Sequence, residues 1–592
     1  MEIPRITLNQ LFEDSLKKYD NPRYLNFKRG GSWQSISQRE ASRRLKCIAL
    51  GLYHLGIRPG DKVALLSENR PEWLLSDLAI LAIGAADVPI YTTQAVPQIE
   101  FILTNSESKC ILISTPALLE RAQKPITDIN IKPVIMFEGK PDDERFLSLD
   151  EVEELGRRLD SEQPGLYDEL RKHVQPDDIA TIIYTSGTTG EPKGVVLTHY
   201  NLVSNAIGSA SGFTFYPNED IALSYLPWTH IFERMLIYLY THVGAQLWIA
   251  ESIEKLAENF LEVRPHVMTT VPRMLEKGFE RAQHVVEHAP AFQRKIFNWA
   301  VALALKYDPE RPMSTGYRIK HAIADFLVYR KFRKAFGGRF RFIVSGGAAL
   351  NPDLARIYCA AGIPVLQGYG LTETSPVIAV NRLERNRIGS VGTVIPNVAV
   401  KIAEDGEILV DGPNVMKEYY KNETATRAAF DCTWFKTGDI GYMDKDGFLY
   451  VTDRKKDLYK TSGGKFIAPQ QIENMLTANL YIDKAVVIAE KRKFASALLF
   501  PNFEALEDFA KAEGIQYRTR KELIDSPKVQ ALYQKAVDEV NQRLSHWETI
   551  KKFAVIEGVL TIDDDYLTPT LKVKRQNVER RYRDLIENFY KE

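Results

Sequence analysis

Residues 184–194 read YTSGTTGEPKG, a run of small and hydroxyl-bearing residues that separates two apolar segments. Residues 179–183 lead into the run and residues 195–197 follow it, so the pattern predicts a strand, a loop and a second strand. The glycines in the run allow a tight turn and bring backbone N–H groups close to an anion. No other segment constrains the fold as strongly, because both flanking strands must end at the same loop.

The loop also carries side chains that can bind a polyphosphate. Its candidate ligands are Thr185, Ser186, Gly187, Thr188, Thr189 and Lys193. The order differs from the phosphate loop G-x-x-x-x-G-K-[ST], since Lys193 precedes a glycine and β-branched residues follow. The residues alone leave two interpretations open, a solvated turn rich in Ser, Thr and Gly or a phosphate-binding loop.

Helix and strand patterns alternate along most of the 592 residues, which are too many for one hydrophobic core. The pattern predicts helices at 8–19, 71–83 and 527–544, and strands at 62–66, 88–91, 110–114, 267–271, 342–344, 485–489 and 495–500. Such alternation is typical of an α/β fold with largely parallel sheets covered by helices.

The spacing of turns changes towards the C-terminus and predicts a domain boundary. Short strands separated by turns from 389 to 451 indicate a β-rich subdomain. A charged stretch without apolar periodicity begins at Asp453, and a small α/β unit follows. We therefore predict a large N-terminal domain, residues 1–452, and a small C-terminal domain, residues 453–592.

Composition excludes several classes of function. Lys plus Arg and Asp plus Glu both total 77, so the net charge gives no reason to expect a nucleic-acid partner. The four cysteines are widely spaced, which argues against a disulfide framework and fits a reducing cytoplasm. The N-terminal residues have neither the basic segment nor the apolar run of a signal peptide. We expect a cytoplasmic protein.

Residues 276–341 differ from their surroundings, because they combine a helical pattern with basic and aromatic residues. One interpretation is an ordinary helical insertion with a solvated basic face. The other is a patch that associates peripherally with an anionic membrane surface. The sequence leaves both open.

Further segments carry small residues, carboxylates and cations. They are SGGA at 345–348, YGLTET at 369–374, TGD at 437–439, DR at 453–454, LPWTHIFER at 226–234, DLYKTSGGKFIAPQQIE at 457–473 and TPTLKVKR at 568–575. Together with the loop at 184–194, these segments resemble in order the motifs of the adenylate-forming, or AMP-binding, superfamily. This superfamily includes acyl-CoA synthetases, luciferases and peptide-synthetase adenylation domains, and the resemblance covers essentially the whole chain.

The resemblance implies the fold of that superfamily, with a mobile C-terminal domain that turns about a hinge at Asp453. It also implies an ATP and AMP site. Tyr369 would stack on adenine, and Asp439 and Arg454 would bind the ribose. The implied nucleotide-binding residues are Thr185, Ser186, Gly187, Thr188, Thr189, Lys193, Gly346, Gly347, Ala348, Tyr369, Gly370, Asp439 and Arg454.

Three residues are implied in catalysis. Lys572 would meet the α-phosphate and the carboxylate, Thr372 would donate to the α-phosphate, and Glu373 would bind Mg²⁺. The implied substrate pocket and CoA channel contain His230, Gly463 and Gly464.

Two positions depart from the family pattern. Leu571 replaces a usual glycine, a form common in long-chain synthetases. Arg234 stands where some long-chain members have a tryptophan that gates the acyl tunnel, so that gating arrangement is in doubt here.

The implied activity is ligation of a fatty acid, expected to be long-chain, to coenzyme A through acyl-AMP, with ATP as co-substrate and Mg²⁺ as cofactor. Other enzymes remain open: a fatty-acyl-AMP ligase that delivers to a carrier protein, a luciferase-like oxygenase, or a synthetase for medium-chain or aromatic acids. We expect no carrier-protein domain after the adenylating unit. A silent acyl- or nucleotide-binding protein conflicts with the full set of catalytic motifs.

Overall fold

The computed structural model describes residues 2–185, 192–455, 459–460, 466–490, 492–561, 564, 566–567 and 573–591, without the side chains of Lys460 and Phe466. Its first sheet has eight strands, in the spatial order β19 (Glu418–Tyr419), β9 (Lys193–Thr198), β8 (Ile179–Thr185), β4 (Ala86–Ile90), β3 (Lys62–Leu66), β5 (Cys110–Ile113), β6 (Val134–Met136) and β7 (Phe146–Ser148). Strands β3 to β8 pair in parallel with one another. Strands β9 and β19 add an antiparallel edge next to β8.

The second sheet has nine strands. Their order is β16 (Thr393–Val394), β15 (Val377–Val380), β14 (Val365–Gly370), β13 (Phe342–Ser345), β12 (Val267–Thr270), β10 (Ile221–Ser224), β11 (Gln246–Ile249), β1 (Leu25–Arg29) and β2 (Ser32–Ile36). The strands from β14 to β1 pair in parallel. Their carboxyl ends therefore lie along one edge, where ligands of α/β proteins commonly bind.

Three smaller sheets follow in the chain. A five-stranded antiparallel sheet contains β17 (Ala399–Ile402), β18 (Glu407–Asp411), β20 (Phe430–Asp431), β21 (Trp434–Met443) and β22 (Leu449–Arg454). A two-stranded sheet contains β23 (Tyr459–Lys460) and β24 (Phe466–Ile467). A mixed three-stranded sheet contains β25 (Ile482–Ile488), β26 (Ala495–Pro501) and β27 (Ile550–Val555).

Several helices of the N-terminal region begin at side-chain caps that the sequence provides. Thr7, Ser148 and Thr198 each accept a hydrogen bond from the third residue of the helix that follows. The helices of the N-terminal region are α1 (Leu8–Tyr19), α2 (Gln38–His54), α3 (Pro71–Ala82), α4 (Val96–Ser106), α5 (Pro116–Ile129), α6 (Leu149–Glu162), α7 (Leu166–His173), α8 (His199–Ala210), α9 (Ile231–Val243), α10 (Leu256–Val263), α11 (Pro272–Glu287), α12 (Ala291–Ala304), α13 (Thr315–Ala324), α14 (Arg330–Ala335), α15 (Pro352–Ala360) and α16 (Glu423–Ala429).

A π-helical turn, Asp325–Tyr329, joins α13 to α14, and a 3₁₀ turn, Thr372–Thr374, follows β14. The C-terminal helices are α17 (Pro469–Thr477), α18 (Phe503–Ala512), α19 (Arg520–Ile524), α20 (Pro527–Asn541), α21 (Arg575–Arg581) and α22 (Arg583–Tyr590). No helix within the described residues is both long and apolar enough to cross a bilayer.

One buried cluster joins the two large sheets. It contains β3 and β8 residues of the first sheet, β10 and β12 residues of the second, and side chains from α2, α3, α8 and α9 such as Trp73 and Ile237. The buried clusters of the C-terminal region are made of residues from 459 onward. The boundary at Asp453 stays a prediction; Asp453 itself is a buried residue of β22.

Side-chain contacts connect the C-terminal region to the rest of the molecule. The guanidinium of Arg273 on α11 lies 2.9 Å from the carboxylate of Asp483 on β25. The amide of Gln471 on α17 donates to the Thr452 carbonyl at 2.6 Å. The C-terminal region thus rests on α11 and on the last strand of the five-stranded sheet.

The predicted elements are confirmed with small differences at their ends. Helix α1 and strand β3 have the predicted bounds. Strand β8 ends two residues after its predicted end, and β9 begins two residues before and ends one residue after its predicted bounds. Helix α20 ends three residues before the predicted end. The segment 276–341 is helical as predicted, since it contains most of α11 and all of α12, α13 and α14.

Candidate functional site

The predicted phosphate loop is flanked by two paired strands. Strands β8 and β9 are antiparallel, and Thr185 lies opposite Lys193 at the end of the ladder. The predicted ligands Ser186, Gly187, Thr188 and Thr189 lie outside the described residues. The ladder therefore brings both ends of the loop to one edge of the first sheet and places Lys193 there.

Lys193 is linked to Glu373 through an aromatic ring. Its ammonium lies 5.0 Å from the centroid of the Tyr419 ring, within the range of a cation–π contact. The Tyr419 hydroxyl donates to Glu373 Oε1 at 2.8 Å. Strand β19 pairs with β9, so the sheet itself positions Tyr419 between the two charged residues. Tyr419 is not among the residues that the sequence motifs predict, and its local signal is limited to an aromatic residue in a short strand.

The turn that carries Thr372 and Glu373 is held by buried amides. The side chain of Asn414 donates to the Thr374 carbonyl at 2.9 Å, and that of Asn205 donates to the Val377 carbonyl at 2.8 Å. A Cβ at Gly370 would lie 1.8 Å from the Pro376 carbonyl oxygen, so only glycine fits there. These contacts fix the direction in which the Glu373 side chain leaves the turn.

Tyr369, Asp439 and Arg454 form a second polar cluster. The Tyr369 hydroxyl donates to Asp439 Oδ2 at 2.6 Å, and Arg454 Nε lies 3.2 Å from Asp439 Oδ1. Asp439 and Arg454 are directly opposite each other in the β21–β22 ladder. Burial, with the Asp439 charge adding to it, raises the pKa of Tyr369 well above its usual value, so the phenol stays a donor.

The segment Gly346-Gly347-Ala348 follows β13 at the carboxyl edge of the second sheet, and the neighbouring strand β14 carries Tyr369 and Gly370. Gly347 has a positive φ of 78°, which favours glycine. A Cβ at Gly346 would lie 2.9 Å from the ring of Phe232. Gly347 and Ala348 are exposed. The segment therefore leaves an open surface next to Tyr369.

His230 caps the N-terminus of α9. Its Nδ1 accepts a hydrogen bond from the Phe232 N–H at 3.2 Å. The side chain is half-buried, and the cap places it beside Phe232, whose ring packs against Gly346. The predicted pocket residue thus lies next to the glycine segment, in a position that a helix cap alone also explains.

Arg234 points away from this edge and into the interior. Its guanidinium is fully buried, at 2.5 Å from Asp77 Oδ1 and 2.7 Å from Asp87 Oδ1, and it also donates to the Thr181 hydroxyl at 2.9 Å. Arg234 thus ties α9 to α3, β4 and β8. At the position where the gating arrangement was in doubt, Arg234 forms a buried structural link.

Arg234, Asp77 and Asp87 are fully buried, so their charges must compensate one another. A guanidinium stays protonated, so one of the two carboxylates must be ionised. Burial raises the pKa of Asp77 and Asp87, while the Arg234 charge lowers both. We therefore take the cluster as one ion pair with the second carboxylate held towards its neutral form.

The predicted C-terminal site residues Lys572, Gly463 and Gly464 lie outside the described residues. Only the last three residues of the TPTLKVKR segment, 573–575, are described. Val573 bridges to Leu567, which precedes the segment, and the Arg575 guanidinium donates to Glu473 at 2.5 and 2.9 Å. Arg575 also donates to the Val487 carbonyl at 3.0 Å. The arginine that ends the segment is thereby anchored to α17 and β25, and the catalytic role of Lys572 stays a prediction.

The sequence that carries these polar clusters matches the models of a known family. A model described as AMP-binding enzyme matches residues 12–420, and a model described as AMP-binding enzyme C-terminal domain matches residues 456–592. The chain belongs to the AMP-binding enzyme family. The predicted superfamily is confirmed, and so is its α/β fold of parallel sheets with a small C-terminal unit.

Relatives match the AMP-binding chain over nearly its full length. It is 36% identical over 584 residues to the long-chain-fatty-acid–CoA ligase FadD15 of Mycobacterium bovis, covering 96% of this chain and 95% of the relative. It is 31% identical over 618 residues to the peroxisomal long chain acyl-CoA synthetase 7 of Arabidopsis thaliana, covering 99% of this chain and 86% of the relative.

Solved structures share the fold of this AMP-binding chain. The adenylation domain of a carboxylate reductase from Mycobacterium chelonae superposes with a TM-score of 0.78 at 22% identity, covering 99% of this chain and 91% of that one. The o-succinylbenzoate CoA synthetase of Bacillus subtilis, in complex with ATP and magnesium, gives a TM-score of 0.65 at 24% identity, covering 96% and 98%. These likenesses bear on the fold alone.

The residues around Glu373 fit a magnesium ion that is carried by a nucleotide. Within the described ranges, no cluster of three or more His, Cys, Asp or Glu side chains is placed to hold a metal by itself. Glu373 Oε1 accepts from Tyr419, and no described residue hydrogen-bonds to Oε2. One carboxylate oxygen beside a phosphate site suits Mg²⁺, which keeps several waters and takes its other ligands from phosphates.

Proposed function

We propose that this enzyme ligates a long-chain fatty acid to coenzyme A at the expense of ATP, through an acyl-AMP intermediate. The observation that carries the proposal is the 36% identity, over 96% of the chain, to a protein named as a long-chain-fatty-acid–CoA ligase. The two polar clusters support it, because one is suited to phosphate and the other to ribose.

ATP would bind across the edges of the two large sheets. Asp439 can accept both ribose hydroxyls while Tyr369 and Arg454 hold its carboxylate in place. Lys193 and the loop from Thr185 to Thr189 would bind the β- and γ-phosphates, and the open surface at Gly347 would receive adenine beside Tyr369. Glu373 would hold Mg²⁺, which neutralises phosphate charge when bound.

The fatty acid reacts without a general base, since its carboxylate is ionised at neutral pH. A carboxylate oxygen attacks the α-phosphorus of ATP, the bond to the bridging oxygen breaks, and pyrophosphate leaves. Thr372 and Lys572 would stabilise the charge on the α-phosphate. Catalysis of this step rests on alignment and electrostatic stabilisation.

The second step forms the thioester. The CoA thiol attacks the acyl carbonyl, loses its proton to solvent, and AMP leaves with the bonding electrons. We propose that rotation about Asp453 removes Lys572 from the site after the first step and brings Gly463 and Gly464 alongside the pantetheine arm. The C-terminal region carries both sets of residues, so one rigid unit would serve both steps.

Release of AMP tests this proposal. Purified protein with ATP, Mg²⁺ and palmitate should accumulate little AMP until CoA is added, and palmitoyl-CoA should then form in equal amount. Stoichiometric acyl-AMP that never passes to CoA would instead identify an acyl-AMP ligase. No ATP turnover with any carboxylic acid would identify a binding protein.

A further inference from the structure

Exposed apolar side chains are concentrated in the helical insertion. Sixteen large hydrophobic residues are exposed in the described part of the chain, and seven of them fall between residues 292 and 327. A uniform distribution would place about one there, since surface hydrophobic residues are normally scattered. The seven are Phe292, Trp299, Leu305, Ile319, Ile323, Phe326 and Leu327.

The helices that carry them rest on a common support. Ala300 and Leu303 of α12, Tyr329 of the π-helical turn and Ala360 of α15 belong to one buried cluster. The Tyr329 hydroxyl donates to the Ala300 carbonyl at 2.7 Å. The ring Nε2 of His321 on α13 donates to the Ala360 carbonyl at 2.8 Å. Both helices therefore bury their inner faces against α15.

The opposite faces of these helices point away from the molecule. On α12, Phe292 and Trp299 are seven residues apart, so they share one side of the helix. On α13 and the π-helical turn, Ile319, Ile323 and Phe326 follow each other at helical spacing, with exposures of 60%, 48% and 71%. We call these five residues the outer face. Both stripes belong to elements that pack into the same buried cluster with α15, so they are exposed next to each other.

Basic residues surround the outer face. Residues 291–335 contain ten Lys and Arg but three Asp and Glu, a net charge of +7 in a chain whose total is zero. All three acids form ion pairs within the protein, Asp308 with Arg311, Asp325 with Arg333 and Glu310 with Arg387. In the described part of the chain, Lys295, Lys320, Arg330 and Lys331 form no ion pair with a carboxylate. Their charge is available to a partner.

We propose that the outer face docks on an anionic lipid bilayer, with α12 and α13 lying in the plane of the interface. Exposed aromatic and aliphatic side chains that alternate with Lys and Arg are suited to the boundary between headgroups and acyl chains. Basic residues near the surface add electrostatic attraction to anionic lipids, and this attraction weakens with salt. The proposal goes beyond ligase activity and does not depend on it.

Vesicle co-sedimentation of the full chain tests the proposal without any substrate. The protein should bind vesicles that contain phosphatidylglycerol and bind vesicles of phosphatidylcholine alone much more weakly. The triple variant Phe292→Ser, Trp299→Ser, Phe326→Ser and the double variant Lys295→Glu, Arg330→Glu should each reduce binding about tenfold or more.

Matched variants elsewhere on the surface serve as controls. Ile253→Ser with Leu261→Ser removes exposed apolar residues outside the insertion, and Lys535→Glu with Lys551→Glu makes the same charge change in the C-terminal region. Both controls should bind anionic vesicles like the wild type, and thermal melting should show that all variants are folded.

Three results would overturn the proposal: no binding to anionic vesicles, equal losses in control and outer-face variants, or binding that the outer-face variants leave unchanged. A fourth is an outer-face variant that alters the molar mass in solution without changing vesicle binding, since the face would then be an interface between protein chains.

Discussion

Tyr419 shows how one side chain can serve two charged neighbours. Its ring lies under the Lys193 ammonium, and its hydroxyl holds one oxygen of Glu373. The pKa of the phenol is raised by burial and by the Glu373 charge, so it remains a hydrogen-bond donor at any physiological pH. The arrangement keeps Lys193 and Glu373 at a fixed separation before a nucleotide arrives.

Glu373→Gln should weaken Mg²⁺-dependent adenylation and leave the fold intact, because an amide oxygen is a poorer ligand for a hard cation. We expect the Mg²⁺ concentration for half-maximal activity to rise about tenfold or more. Tyr419→Phe keeps the ring under Lys193 and removes only the hydroxyl, so its effect should be smaller. Unchanged activity of the Gln variant at limiting Mg²⁺ would assign Glu373 a structural role.

Tyr369→Phe should raise the KM for ATP with a smaller change in kcat. The substitution keeps the ring that is proposed to face adenine and removes the hydrogen bond to the Asp439 side chain. A hydrogen bond to a charged group is worth about 1.5–3 kcal/mol. Tyr442→Phe, at a half-exposed position of the same β21 strand that carries Asp439, is the control. Equal KM values in the two variants would show that the Tyr369 hydroxyl does not position the ribose site.

Helix α9 is the element that connects the interior to the pocket edge. His230 caps it, Phe232 packs against Gly346, and Arg234 fixes its first turn between the two sheets. Between them, Glu233 is buried and hydrogen-bonded to the hydroxyls of Ser224 and Thr269 at 2.5 Å each. The start of α9 thus places His230 and Phe232 near the pocket edge and Glu233 and Arg234 in the core.

Arg234→Met should destabilise the N-terminal region by about 3–5 kcal/mol, because it leaves the buried Asp77–Asp87 pair without its cation. The triple variant Arg234→Met, Asp77→Asn, Asp87→Asn should lose less, since it removes the uncompensated charges as well. Denaturant midpoints would measure both effects. A loss no greater than that of Arg39→Met on the surface would contradict the assignment of Arg234 as a buried link.

Glu233 gives the stability of this region a pH dependence. Burial raises its pKa from 4.5 to about 7. The neutral form is therefore favoured in the folded state, and the stability that it contributes is complete below pH 4.5 and is lost as the pH rises through about 7. The loss amounts to about 3 kcal/mol. Glu233→Gln should remove it, so the variant should gain stability relative to wild type between about pH 5 and 8.

Unfolding midpoints across that pH range would check this result. The control is Glu219→Gln, which changes an exposed carboxylate. Parallel pH profiles for wild type and Glu233→Gln would contradict a raised pKa at Glu233.

Local sequence patterns predicted the helices and strands better than the contacts between them. The bounds of α1 and β3 follow from apolar periodicity, which depends only on neighbours in the chain. The contact of Tyr369 with Asp439 spans 70 residues, and that of Arg234 with Asp77 spans 157. Such contacts depend on sheet order and register, which no local pattern contains. Tyr419 was missed for this reason, because its place depends on the pairing of β19 with β9.

At the scale of the whole molecule, the proposed chemistry is divided between two regions. The two polar clusters lie in the first 454 residues, and Arg575, which ends the TPTLKVKR segment, is anchored to α17 and β25 of the C-terminal region. Contacts such as Arg273 with Asp483 join the regions through charged side chains. Such contacts are polar and separable, as a domain that changes position requires.

Lys572→Ala should abolish acyl-AMP formation from ATP, by about 100-fold or more, yet still convert supplied acyl-AMP to acyl-CoA. Lys574, which directly precedes α21, is the matched control. Its backbone N–H donates to the Tyr566 carbonyl, and Lys574→Ala should be nearly silent in both half-reactions. If Lys574→Ala abolished acyl-AMP formation while Lys572→Ala had little effect, the catalytic lysine would have been assigned to the wrong position.

The most direct test of long-chain fatty acid ligation is the rate of acyl-CoA formation across a graded series of carboxylic acids. With ATP, Mg²⁺ and CoA held constant, turnover should rise from acetate through octanoate to palmitate, and each acyl-CoA should appear with one AMP and one pyrophosphate. A maximum at acetate or at an aromatic acid such as benzoate would contradict a long-chain fatty acid ligase.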